Sequence, residues 1–294
     1  MRRFRLAGRS TPVTPFGTGF CDDRWVTNSG CVIAAVAEAI REVSETIIEA
    51  RFETLAQCDI DEKSPGEPVT VLDREAEAAL SERLTAIVGD APVVGEESCS
   101  ADPGRLRWLD AERAWLVDPL DGTANYLAGS SDFAVMVALL SAGRPVCSWV
   151  WQPATKRMYI AERGGGASCN GSPVRVVPAA RPIGELTGAA LTRFMGPPVA
   201  ATVERNRHKF AAVSAGRRCA GVEYPAVIHG HQDFALFWRT LPWDHIPGVL
   251  LLEEAGGVAR RPNATPYLPY NHSDVGLLIA SDQATWTLAH QLLD

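Results

Sequence analysis

Apolar residues recur at three- and four-residue intervals through CVIAAVAEAIREVSETIIEARF, with charges between them, and this spacing predicts a long amphipathic helix from Trp25 to about Thr54. EKSPGEPVT breaks the pattern. A short extended VTVLD then leads into a second helical stretch, REAEAALSERLTAIVG, with Asp73 expected at its N-cap. Downstream the period changes. PVVGEE, AWLVDPLD, DFAVMVALLSAG, PVCSWVWQPAT, RMYIAERGGGASCNG and SPVRVV are short apolar or alternating runs separated by Gly, Pro and Asn, which predicts a large, mostly antiparallel sheet. RGGGAS (163–168) lacks the Lys-Ser/Thr of a phosphate-binding P-loop and is expected to be a turn between strands.

From RPIGELTGAALTRF onward the texture is of strands alternating with helices: helices over PVAATVERNRHKFAAVS, IPGVLLLEEAGG and SDQATWTLAHQLL, with an apolar HQDFALF among them. The fold class is therefore mixed α/β (α+β), divided into a loose tail over residues 1–22, an N-terminal part over 23–180 with the large sheet, and a C-terminal part over 181–294. MRRFRLAG is basic, but the STPVTPFGTG after it is polar and proline-broken where a secretory signal needs an apolar core. No run approaches the length of a membrane-spanning helix.

Composition narrows the function. With 46% hydrophobic residues over 294 positions the chain can bury a large core, and its net charge of −7 speaks against nucleic acid or an anionic membrane as partner. Seven scattered cysteines, odd in number and without a C-x-x-C pair, indicate reduced thiols and a cytoplasmic protein rather than a disulfide framework or zinc ribbon. His229-Gly-His231 resembles a metal pair, yet a zinc pocket needs more ligands, so these read as structural histidines.

The chemistry is concentrated in WLVDPLDGTANY (115–126). Asp118 closes an apolar run, Pro119 cannot join a sheet ladder, and the strand is expected to end there with Asp121 in the following turn. An acidic pair at the mouth of a buried strand costs free energy unless something positive meets it, and no lysine or arginine lies nearby in sequence. Gly122 and Thr123 offer free backbone N–H groups suited to an anion. Glu96 and Glu97 follow the apolar APVVG run, and Asp244 stands at the head of an apolar helix. Singly, Asp244 fits a helix cap, the glutamates a solvated turn, and Asp118 with Asp121 an Asx turn. Together they favour a site for a hard divalent cation such as Mg²⁺, which binds carboxylate and carbonyl oxygens along with substrate phosphate.

VVGEES (93–98), WLVDPLDGTANY, PVTVLD (68–73) and WDHIPGVLLLEEAGG (243–257) together resemble the inositol monophosphatase family of Mg²⁺-dependent, lithium-sensitive phosphomonoesterases, over an alignment from about residue 25 to the C-terminus. The resemblance implies a layered αβαβα sandwich, a homodimer, and a small phosphorylated metabolite as substrate. It implies that Glu96, Asp118, the Leu120 carbonyl, Asp121 and Asp244 bind two or three Mg²⁺ ions. Glu96, Thr123 and Asp73 would orient or deprotonate the attacking water, and Asp121, Gly122, Thr123, Ala220, Phe237 and Asp244 would face the substrate. One position departs from the pattern. Phe237 stands seven residues before the WD aspartate, where inositol-hydrolysing members carry an acidic residue, and a phenyl ring cannot accept hydrogen bonds from hydroxyls. Ala220 and Glu223 fall in the leaving-group region, with Arg217 or Arg218 available for a second phosphate. A sugar or polyol phosphate is thus the first expectation; a 3′(2′),5′-bisphosphate nucleotide, fructose 1,6-bisphosphate or histidinol phosphate is an alternative. A non-catalytic metal- or headgroup-binding relative is the alternative from another class.

Overall fold

The computed structural model describes residues 29–56, 59–64, 66–271 and 274–294. The expected tail, residues 25–28 of the first expected helix, and Cys21, Cys58 and His272 lie outside them. The first helix, α1, spans Ser29–Val43 and continues as a wider turn over Ser44–Ile48 and a tighter one over Glu49–Arg51. EKSPGEPVT does more than break a helix: it turns a hairpin of β1 (Ile60–Ser64) and β2 (Glu67–Thr70). Helix α2 (Val71–Ile87) starts two residues before Asp73, and its N-cap is Thr70, whose hydroxyl accepts from the Leu72 N–H. The Asp73 carboxylate bends back to accept from the Thr70 N–H at 2.7 Å, a reciprocal cap worth about 1 kcal/mol.

A seven-stranded sheet follows chain order: β3 (Val93–Gly95), β4 (Arg113–Asp121), β5 (Ala134–Ser141), β6 (Arg144–Gln152), β7 (Arg157–Glu162), β8 (Gly166–Cys169) and β9 (Ser172–Val174). All neighbours are antiparallel except β3 and β4, which run parallel. Between strands lie the short helices α3 (Glu96–Ala101) and α4 (Thr123–Leu127). RGGGAS forms the β7–β8 turn, where the Glu254 carboxylate accepts from the Gly164 and Gly166 N–H groups. A mixed five-stranded sheet in the order β11 (Ala212–Ser214), β10 (Thr187–Ala190), β12 (Phe234–Phe237), β14 (Leu277–Ala280), β13 (Val258–Arg260) makes up the rest, with α5 (Pro197–Asn206), α6 (Ala220–Ile228), α7 (Pro242–Glu254) and α8 (Gln283–Ala289).

Strand alternation decides the layering. In β4 and β5, Trp115, Val117, Val135 and Val137 face α1 and α2, while Leu116, Met136 and Ala138 face α6 and α7. In β12 and β14, Ala235, Phe237, Leu277 and Ile279 face those same two helices from the other side. Phe234, Leu236, Leu278 and Ala280 face α5 and α8. Five layers result, helix, sheet, helix, sheet, helix, the αβαβα order expected. The change of sheet falls between Val174 and Thr187, yet one apolar core containing α6 and α7 is shared by both sheets. Among the described residues no helix is long and apolar enough to cross a membrane.

Candidate active site

Side chains three apart on a regular strand point to opposite faces. Strand β4 overcomes this with a one-residue bulge: Asp118 pairs with Met136 and Asp121 with Ala134, so three steps on β4 oppose two on β5. Proline at 119 fits a bulge because it has no N–H to give the ladder, and the Asp118 carboxylate accepts from the Leu120 N–H at 3.0 Å. The strand therefore runs on through Asp121 instead of ending at Asp118. Leu120 packs into the α1–α2 side of the sheet, and Asp118 and Asp121 both emerge on the α6–α7 side.

Parallel pairing supplies the next ligand. Gly95 lies opposite Val117, so Glu96, one residue on, arrives beside Asp118. Its turn is capped from α2: the buried Glu77 carboxylate accepts from the Glu97 and Ser98 N–H groups at 2.6 and 2.8 Å. Asp244, in the first turn of α7, comes from the opposite layer and is not the cap residue, a place taken by Leu241. One ligand oxygen each from Glu96, Asp118 and Asp244 lie within 4.8 Å of one another. Burial, then the charge of Glu96, pushes both Asp118 and Asp244 well above the usual carboxylate range. Burial also pushes Asp121 up to about 7, against the pull of the Gly221 N–H. Such crowding of oxygen donors, with little hydrogen bonding to compensate it, fits a hard divalent cation.

Asp121 stands outside that triangle. Its carboxylate accepts from the Gly221 N–H at 2.6 Å and from the Cys219 thiol at 3.1 Å, which ties β4 to the start of α6. The Thr123 hydroxyl lies 3.0 Å from Asp73 Oδ1 and 3.0 Å from the Leu120 carbonyl. Gly122 makes the turn into α4 with φ 89°, and a Cβ there would lie 2.8 Å from the Asp132 carbonyl oxygen.

These groups line a cavity of about 560 Å³. Ala220 and Phe237 are in its wall, but Phe237 is 4% exposed, stacked on Tyr224 at 5.7 Å and edge-on to His245 at 4.6 Å. Arg218 also lines it, whereas Arg217 and Glu223 do not: Glu223 is buried and accepts from the Arg217 N–H and from Gln232. Sequence proximity gave no hint of the cations that meet the acidic site. Lys63, from β1, donates to Glu96 and Glu97 at 2.7 and 2.5 Å. Burial alone would lower its ammonium, but Glu96 and Glu97 outweigh this and raise it. Arg193 and Arg239 reach the wall from the second sheet, Arg193 bonded to the Gly66 carbonyl and Arg239 paired with Glu67, so the turn end of the β1–β2 hairpin is held against the cavity wall. The Pro-Gly pair in EKSPGEPVT, a turn signal, is what made the hairpin, and with it Lys63, available to read.

A profile of the Inositol monophosphatase family matches residues 29–293. An inositol-1-monophosphatase of Mesorhizobium japonicum is 33% identical over 199 residues, 66% of this chain and 72% of the relative. A protein of Escherichia coli named Nus factor SuhB is 29% identical over 218 residues, 72% of this chain and 78% of the relative. The crystal structure of extragenic suppressor protein suhB from Bartonella henselae superposes with a TM-score of 0.75 at 24% identity, covering 89% of this chain and 98% of that one.

Proposed function

The chain belongs to the inositol monophosphatase family, and from that premise we propose that it is a Mg²⁺-dependent phosphatase of a small phosphate monoester. The observation that carries this reading is the approach of Glu96, Asp118 and Asp244 to within 4.8 Å in a cavity large enough for a phosphorylated metabolite. Those three, with Asp121 and the Leu120 carbonyl, would hold two or three Mg²⁺ ions. When bound, the ions supply positive charge for the phosphate dianion and acidify a water.

The remaining work falls to the chain's own groups. Thr123 has one hydroxyl proton and two acceptors, Asp73 Oδ1 and the Leu120 carbonyl, each at 3.0 Å. Donating to either leaves its lone pairs free to accept from the attacking water and aim it in line with phosphorus. Asp73, raised by burial, can take the proton passed along at Oδ1. Glu96 would face the same water from the first position of α3. The Gly122 and Thr123 N–H groups donate to phosphate oxygens at the head of α4.

Phe237, committed to packing against Tyr224 and His245, offers nothing to inositol hydroxyls, so a sugar or polyol phosphate other than inositol phosphate is the substrate class this wall suits best. A 3′(2′),5′-bisphosphate nucleotide is the second reading. It is favoured by Phe194, 41% exposed on the wall beneath the Arg239 guanidinium, and by Arg218, a cation for a second phosphate. A purely binding role does not need the hydrogen bond between Thr123 and Asp73. The test is phosphate release from inositol 1-phosphate, fructose 1,6-bisphosphate, 3′-phosphoadenosine 5′-phosphate and histidinol phosphate, each with Mg²⁺, with EDTA and with added Li⁺. Mg²⁺-dependent, Li⁺-inhibited release from one of them supports the proposal; silence from folded, Mg²⁺-loaded protein counts against it.

A further inference from the structure

Arg217 and Arg218 are neighbours in sequence but serve different cavities. The left-handed backbone at Arg218, φ 57°, turns its side chain toward the catalytic cavity, while Arg217 lines a second one behind α6. The second cavity is about 110 Å³, roughly a fifth the size of the first. Arg157, His229 and His231 line it with Arg217, and Tyr159 and Ser131 add hydroxyls. The Tyr159 hydroxyl lies 3.0 Å from His229 Nε2. Among the described residues neither the Arg157 nor the Arg217 guanidinium forms an ion pair with a carboxylate; of Arg217, the Glu223 carboxylate meets only the backbone N–H. Asp132 is the one acidic residue in the lining. Burial holds His229 below the usual imidazole range, and the neighbouring charges of Arg157 and His231 add to this.

We propose that this second cavity binds inorganic phosphate. Two guanidiniums without a carboxylate partner supply planar donors for tetrahedral oxygens, and Tyr159, Ser131 and the histidines add neutral ones. A cavity of about 110 Å³ suits one small oxyanion better than a phosphorylated sugar. Its position links it to the metal site: α6 runs from Gly221, which donates to Asp121, to its end at His229, and the Asn125 side chain donates to the Arg217 carbonyl.

The test uses the full chain in EDTA at pH 7, which removes the metal ions that would draw phosphate into the catalytic cavity. Titration calorimetry with inorganic phosphate is expected to show saturable 1:1 binding. Arg157→Gln and Arg217→Gln, both on exposed side chains, are each expected to weaken it about tenfold or more, the scale of one lost charge-assisted hydrogen bond. Arg218→Gln leaves it unchanged, and ribose 5-phosphate does not displace the ion. Absence of saturable binding, binding indifferent to the first two variants, loss with Arg218→Gln, or displacement by ribose 5-phosphate would each overturn the assignment.

Discussion

Glu77 touches no substrate, yet its position makes it a support for the metal site. It is 5% exposed and accepts two backbone N–H bonds, 2.6 Å from Glu97 and 2.8 Å from Ser98, in the turn that begins with Glu96. The fit is close: a Cβ at Gly95 would fall 2.2 Å from Glu77 Cδ, so this position is confined to glycine. Hydrogen bonds to a charged group contribute about 1.5–3 kcal/mol each. Water can reach the half-buried Glu97 and Ser98 amides in part, so Glu77→Ala is expected to cost about 3 kcal/mol, the lower end for two bonds. At about 2–4 °C per kcal/mol for a chain of this order of size, the thermal midpoint should fall by about 6–12 °C. Loosening the Glu96 turn should also raise the Mg²⁺ concentration for half-maximal phosphate release by about tenfold or more, as loss of ligand support generally does. Glu77→Gln, which keeps one acceptor oxygen, should lose about half as much on both scales. The assay pairs thermal unfolding with Mg²⁺ titrations of activity. A lower midpoint with an unchanged Mg²⁺ requirement would refute the positioning role, and no change in either would refute the capping argument as well.

Two further predictions concern the packing behind the cavity. Wholly buried His245 is neutral, with its Nε2–H donating to the Arg239 carbonyl at 3.2 Å and Nδ1 accepting from the Tyr224 hydroxyl at 3.1 Å; burial pushes it down to about 3. Its folded value lies below the unfolded one of about 6.5, so the folded state binds fewer protons, and its contribution is whole above pH 6.5 and lost as pH falls toward 3. Urea unfolding in saturating Mg²⁺ should therefore show wild type losing about 2 kcal/mol more than His245→Gln between pH 7.5 and pH 5, and parallel losses would contradict this. Phe237→Ala should lower the unfolding free energy by about 3 kcal/mol because it empties a stacked aromatic site, whereas an unchanged stability with an altered KM would make Phe237 a substrate contact instead.

The strands of the large sheet and most helices were legible because alternation and 3.6-residue spacing are local, and the carboxylates of 96, 118, 121 and 244 stood out because each follows an apolar run. The helix expected over PVAATVERNRHKFAAVS stops at Asn206, and its last residues, AVS, form edge strand β11 paired with β10. What sequence spacing could not reveal was long-range or compensatory. The bulge at Pro119 that turns Asp118 and Asp121 to one face depends on register with β5. The cap of α2 passed from Asp73 to Thr70 because the aspartate serves as well from the third position, bending back to the Thr70 amide. Helix α6 was missed altogether, since AGVEYPAVI is buried on every side and contains Pro225, leaving no amphipathic stripe to read. Lys63 meets Glu96 from 33 residues away through a hairpin, a distance that motif reading does not cross.

The most direct test of the metal-dependent phosphatase assignment is phosphate release by wild type and Asp118→Asn across a Mg²⁺ titration, on the substrate that gives the greatest turnover. Replacing one carboxylate of the Glu96–Asp118–Asp244 triangle removes a charge while keeping its shape. The expected result is Mg²⁺-dependent turnover in wild type, abolished by EDTA, and its near-complete loss in a variant whose thermal unfolding remains cooperative. Equal turnover in the two proteins would contradict the assignment.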